Sequence, residues 1–130
     1  MRYLLDGNAV IVLLKGDARF SARLRRHRPE DVAISAIVAH ELYYGAYKSG
    51  RTAENLARVE ALRFEVLDFD REDARQAGRI RAALAAAETP IGSHDALIAG
   101  QAVARGLTLI THNTRELQRV EALRIEDWEV

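Results

Sequence analysis

Short strand-like runs alternate with longer helical ones along the whole of this chain, and that alternation leaves few folds open. Tyr3 to Asp6, Val32 to Ser35, Glu65 to Leu67, Leu107 to Ile110 and Leu123 to Ile125 read as strands. Between them the spacing predicts helices over Ala9 to Leu14, Arg19 to Arg28, Ser35 to Lys48, Ala53 to Phe64, Arg71 to Glu88, Ser93 to Arg105 and Thr114 to Val120. Lys15-Gly16-Asp17, Ser49-Gly50 and Thr89-Pro90-Ile91-Gly92 supply the breaks. A strand followed by a helix, repeated, implies an α/β fold: a mainly parallel central sheet with helices on both faces and function at the carboxyl ends of the strands. The 130 residues suit one compact domain over 1–130, with no repeat or long linker to divide it.

Three carboxylates sit where such a fold would normally put neutral side chains. Asp6 ends the run Tyr3-Leu4-Leu5. At about 100° per residue, Glu41 falls near the middle of an arc made by Ile37, Val38, Leu42, Tyr44 and Gly45. Asp95 shares a face with Ile98, Ala99, Ala102 and Val103, with Gln101 and Arg105 on the opposite, solvated side. Carrying like charges inward costs several kcal/mol per ion unless a cation compensates, and a metal ion is the simplest one. Duller readings exist: Asp6 as a helix cap, Asp95 as a first-turn acid behind a Ser93 cap, Glu41 as an arginine's partner.

Composition narrows the chemistry. There is no cysteine, which excludes disulfides, thiolate nucleophiles and cysteine-based zinc sites. His27, His40, His94 and His112 have no ligand-like spacing, so oxygen ligands dominate and favour Mg²⁺, or Mn²⁺, over zinc or copper. No apolar run approaches the ~20 residues that span a bilayer and no signal peptide opens the chain, so a cytoplasmic protein without membrane contact is expected. Lys+Arg and Asp+Glu balance at 19 each. Lys15 and Lys48 are the only lysines, so the other 17 cations are arginine, which suits phosphate contact or ordinary helix-surface pairing.

Four segments then carry a resemblance. Leu5-Asp6-Gly7-Asn8, His40-Glu41-Leu42-Tyr43-Tyr44-Gly45-Ala46, Pro90-Ile91-Gly92-Ser93-His94-Asp95-Ala96-Leu97-Ile98-Ala99 and Thr111-His112-Asn113-Thr114-Arg115-Glu116-Leu117 are similar, in order, to the motifs of PIN-domain ribonucleases. The likeness is greatest to VapC toxins of type II toxin–antitoxin systems and runs from about Tyr3 to Trp128. It implies a single PIN-like domain whose metal-binding acids are Asp6, Glu41 and Asp95. Many PIN domains carry a further aspartate after the fourth strand. Here that place holds Asn113, and the resemblance implies that Glu116 joins the catalytic set while Asn113 and Asn8 support it. Gly7 stands where the family usually has Thr or Ser, removing a hydroxyl beside the first acid.

The activity so implied is Mg²⁺-dependent endoribonuclease cleavage of structured RNA, with tRNA, and the anticodon loop of initiator tRNA, the leading candidate. In-line hydrolysis would leave a 5′-phosphate and a 3′-hydroxyl. The resemblance also implies a VapB-type antitoxin as partner, a homodimer, and contact with operator DNA only through the antitoxin. Arg81, placed by the periodicity with Ala74, Ala77 and Ala85, is a candidate phosphate contact. The alternative is a catalytically weakened PIN-fold module that binds RNA or antitoxin, made credible by Gly7. A phospho-acceptor receiver domain is excluded, because the paired acids near the first strand and the late lysine are missing.

Overall fold

A computed structural model describes residues 1–130. Its strands are β1 (Tyr3–Leu5), β2 (Val32–Ser35), β3 (Glu65–Leu67), β4 (Thr108–Ile110) and β5 (Arg124–Glu126). They form one parallel sheet in the order β3-β2-β1-β4-β5. Leu5 pairs with Ile34 on one side and Ile110 on the other. β1 and β2 are buried throughout, as strands covered on both faces must be, whereas the edge strands β3 and β5 expose Glu65, Val66 and Arg124.

Seven helices connect the strands: α1 (Gly7–Leu14), α2 (Ala18–Leu24), α3 (Ala36–Lys48), α4 (Thr52–Glu60), α5 (Arg71–Ala86), α6 (Ser93–Arg105) and α7 (Thr114–Leu117). Local chemistry fixes their ends. Asp17 and Ser35 cap α2 and α3 by accepting from the Phe20 and Ile37 amides at 2.9 and 3.0 Å. Asp70 and Asp73 close a capping box at α5. Gly106, at φ 65°, stops α6 in the left-handed conformation that glycine tolerates. No helix is long and apolar enough to cross a membrane.

Four helices end short of the sequence expectation, among them α7, expected to reach Val120 and ending at Leu117. The helix expected to reach Arg28 stops at Leu24, because Pro29 disfavours helical backbone before it and instead opens a single 3₁₀ turn over Pro29–Asp31. The helix expected to reach Phe64 ends at Glu60, which frees the chain to turn into β3. The one expected to reach Glu88 ends at Ala86, and Glu88 itself adopts φ 59°.

The largest correction concerns Gln101, expected with Arg105 on a solvated face; Arg105 is exposed as expected. Gln101 is fully buried, and its Nε2 donates to the Asp68 carbonyl at 3.0 Å and to Asp73 Oδ2 at 3.1 Å. Arg105 grips the same carboxylate with Nε and Nη2, at 3.2 and 2.9 Å, leaving Asp73 1% exposed. Close packing of α5 on α6 creates this cluster. A Cβ on Gly100 would lie 2.5 Å from the Ala77 backbone, so only glycine allows the two helices to come so near. Burial works to raise the Asp73 pKa, but the Arg105 hydrogen bonds, the Asp70 amide and Gln101 together hold it below the ordinary value.

Candidate active site

The sheet order reverses between β1 and β4, the place where ligands bind in open α/β sheets, outside the carboxyl ends of the strands. Asp6 leaves β1 at that edge, and Thr111, His112 and Asn113 leave β4 beside it. Glu41 comes from the middle of α3, which follows β2 directly, and Asp95 from the first turn of α6.

Asp6 is 4% exposed and caps α1, its Oδ1 accepting from the Ala9 amide at 2.8 Å. The capping role raised in the sequence is therefore real, and it uses one of two oxygens. Burial raises the Asp6 pKa, the Thr111 side chain and the Ala9 amide pull it down, and the charges of Asp95 and Glu129 push it up again; the net direction is upward. Asn8 neither caps the helix nor holds Asp6. It lies inside α1 with an exposed side chain, because the helix starts two residues earlier than the sequence suggested.

Glu41 is half-buried, its side chain 33% exposed, and its arc is less apolar than the projection implied. Val38, Leu42 and Ala46 face the core, while Tyr44 and Gly45 are exposed. Its Oε1 is buried and has no hydrogen-bond partner. The imidazole of His94 is nearby, its Nδ1 3.8 Å from that oxygen. Burial raises the Glu41 pKa against the opposing pull of His94, with Asp95 adding to the rise. Gly7 allows this placement: a Cβ there would sit 3.0 Å from Glu41 Oε2.

Asp95 has its pKa raised by burial first and then by the charge of Glu116, with Asn113 and His94 opposing. Ser93 is the first helical residue and not the cap; Gly92 takes that place without a side-chain bond, so the orphan amides of α6 and their positive dipole end lie beside Asp95. The Asn113 amide nitrogen donates to Asp95 Oδ2 at 3.4 Å and to Glu116 Oε2 at 3.2 Å, spanning two acids with one group. Asn113 and Glu116 thus stand at the same edge as Asp95.

Asp6, Glu41 and Asp95 interact electrostatically, Asp95 acting on both others. No arginine or lysine is among the groups acting on any of the three, so the arginine partner considered for Glu41 is absent. Arg81 is exposed along with Ala74 and Ala85, while Ala77 is buried with Asp73, Ile80 and Leu84; the face proposed for it is split in two. It acts on none of the three acids.

The donor set fits a hard divalent cation. Three carboxylates with raised pKa values, one carrying an orphaned buried oxygen, are what such an ion would relieve. The acids stand further apart than a closed cage. The His, Asp and Glu side chains whose donor atoms all fall within 4.8 Å of one another are instead His112, Asp127 and Glu129. The grouping of His112 with Asp127, at 2.8 Å, was hidden in the sequence by their separation of 15 positions. The Asp127 hydrogen bond, with the charges of Asp127 and Glu129, raises the His112 pKa.

Comparison with known proteins agrees with this geometry. Residues 3–123 match the PIN domain family. The "tRNA(fMet)-specific endonuclease VapC" of Salmonella typhimurium is 42% identical over 130 residues, covering 98% of both chains, and the Shigella flexneri protein of the same name is 40% identical over the same shares. Among solved structures, DNA-bound VapBC from Salmonella typhimurium matches with a TM-score of 0.93 at 42% identity, covering 98% of each chain. VapBC2 from Rickettsia felis, bound to a DNA fragment from its promoter, matches at 0.92 and 32% identity, covering 98% of this chain and 99% of that one. A five-stranded parallel sheet with its acids at the switch point, matched along its length by these proteins, places the chain in the PIN domain family, among the VapC proteins.

Proposed function

We propose that this chain is the toxin of a type II toxin–antitoxin pair, an endoribonuclease dependent on Mg²⁺, with Mn²⁺ as a substitute. One observation carries the reading. Asp95 acts electrostatically on both Asp6 and Glu41, all three pKa values are pushed up, one carboxylate oxygen is buried without a partner, and no lysine or arginine offsets the charge. Asp6, Glu41 and Asp95 would hold the ion. When bound, it supplies Lewis-acid polarisation of the scissile phosphate and offsets charge developing on the leaving oxygen.

The chain's own groups do the positioning. The Ala9 amide fixes one oxygen of Asp6, leaving the other free. Asn113 fixes Asp95 and ties Glu116 to it, so Glu116 acts as the fourth acid by setting the charge around Asp95. Glu41 presents an oxygen that nothing in the fold satisfies. Water attacks phosphorus in line, the bond from phosphorus to O3′ breaks, and its electron pair leaves with O3′, which takes a proton. The products carry a 5′-phosphate and a 3′-hydroxyl.

The names of the Salmonella and Shigella relatives support initiator tRNA as substrate, with the anticodon loop as target, since a single-stranded loop can present splayed bases and bare phosphates to a cleft. That substrate implies a cytoplasmic site of action. The VapBC complexes support a VapB-type antitoxin as partner, with operator DNA reached through it. A homodimer of the chain completes the proposed assembly. Gly7 favours the second reading, a catalytically weakened module on the same fold, because the missing hydroxyl would cost metal affinity or activity on the order of 10–100-fold.

Incubation of the purified chain with total tRNA decides between them. Cleavage should require Mg²⁺, cease with EDTA and be absent in Asp6→Asn and Asp95→Asn, and sequencing of the fragment ends should place the cut in an anticodon loop. RNA left equally intact by wild type and both variants would overturn the nuclease and favour the binding module.

A further inference from the structure

Beside Glu41, the exposed side of α3 carries a ladder that the metal chemistry does not use. His40, Tyr44 and Lys48 follow one another at i, i+4 and i+8, all three exposed, over a rise of about 12 Å. Tyr44 is 60% exposed, too open for a core residue. Lys48 Nζ lies 5.6 Å from the Tyr44 ring centroid, and it forms no salt bridge with any of the acids around it. A groove of about 310 Å³ joins His40 and Tyr44 of this ladder to Glu41, with Gly7, Ile11, Leu42 and His94 completing its lining. The His40 and His94 rings meet edge to face at 6.0 Å across it.

We propose that His40, Tyr44 and Lys48 form a track for single-stranded RNA leading out of the cleft, with Tyr44 as the stacking platform for a base and Lys48 as the contact for a backbone phosphate. This rests on the nuclease reading and adds to it the route the strand takes. Three features point to a nucleic acid strand over a protein segment. The groove is continuous with Glu41, so a chain whose phosphate lies at the acids must pass His40 and Tyr44 on leaving along α3. The ladder pairs an exposed aromatic ring with a lysine that makes no salt bridge and is held only against that ring, the combination that binds bases and backbone together. Its charge is opposite to that of the cleft, so a polyanion repelled by the bare acids gains a counter-charge one turn beyond Tyr44. Arginine does not serve here, since none of the 17 lines this groove.

The test measures binding of a fluorescein-labelled single-stranded RNA oligonucleotide to proteins that all carry Asp95→Asn, so that the probe stays whole. Tyr44→Ala should weaken binding about five- to 150-fold, the range of one lost base–aromatic stack, while Tyr44→Phe should stay within about twofold of the parent. Lys48→Ala should lower the slope of log K against log salt by about 0.7, the effect of one released phosphate contact on a single strand, and Tyr44→Ala should leave that slope unchanged. Equal affinities for parent and Tyr44→Ala, with no change of slope in Lys48→Ala, overturn the track. If the same variants instead weaken capture of the cognate antitoxin and leave RNA binding alone, the ladder belongs to a protein partner and the proposal fails. Wild-type cleavage of tRNA is scored separately: a chain that cuts RNA yet shows no effect at Tyr44 keeps the nuclease and loses the track.

Discussion

The two ends of α6 hold two buried acidic groups that the fold treats in opposite ways. At the far end Asp73 is gripped by Arg105 and Gln101, and its pKa is lowered. At the near end Asp95 stands with Asp6 and Glu41, no arginine or lysine reaches them, and all three pKa values are raised. In the first cluster the carboxylate is neutralised within the chain, although Gln101 Oε1 is left without a partner, and its contacts join α5 to α6. The second is left open, and folding tolerates it at a cost that an external cation would offset. A buried acid is thus informative about function only through its partners: Asp73 is the most buried of the acids named here, and it is structural.

Exchanging carboxylate for amide at each end breaks the comparison most sharply. Asp6→Asn keeps the cap on α1, since Asn and Asp cap about equally well, and removes only the charge. Cleavage of tRNA should fall to the level seen with EDTA, while the melting temperature measured in EDTA stays level or rises because a repulsion has gone. A loss of stability with activity retained would return Asp6 to a purely structural role. Asp95→Asn should behave in the same way.

Arg105→Ala probes the closed cluster. It strands the Asp73 carboxylate against α6 with only Gln101 and the Asp70 amide to satisfy it, which should cost about 3 kcal/mol of folding stability in urea titration. Activity per folded molecule should not change. A change in kcat at unchanged stability would mean that the two ends of α6 communicate, and the contrast between them would dissolve.

How far the sequence foretold this molecule follows from the same contrast. The five strands and seven helices were legible because apolar runs and breakers such as Ser49-Gly50 and Thr89-Pro90 are local signals. The motif acids were legible because each interrupts a local apolar pattern. Gln101 was misplaced because its burial is decided by α5, 28 residues away, through Gly100, whose meaning depends on a helix its own periodicity cannot see. His112 with Asp127 was missed for the same reason. Asn8 was misassigned by a two-residue shift at a helix start, the place where side chain and backbone compete for the same amides.

The smallest expected effect is also the one that reads the open cluster directly, through pH and metal. Because the folded pKa values of Asp6, Glu41 and Asp95 are raised, the folded state binds protons more tightly than the unfolded one between the ordinary carboxylate range near pH 4 and those raised values. Stability contributed by the protonated acids is therefore fully present at low pH and lost as pH rises through the raised values. Asp73, with its pKa lowered, has the opposite sign: its contribution is present above the ordinary value and lost as pH falls through the folded one. In EDTA, the Asp6→Asn and Asp95→Asn variants should each remove part of the decline above about pH 4 and leave the acid limb unchanged, whereas Asp73→Asn should do the reverse. Mg²⁺ should restore wild-type stability at neutral pH, by about 2.7 kcal/mol at a hundredfold excess over its Kd, with release of protons on binding. If Mg²⁺ stabilises the Asp95→Asn variant as much as wild type, the ion is held elsewhere, and His112, Asp127 and Glu129 become the first place to look.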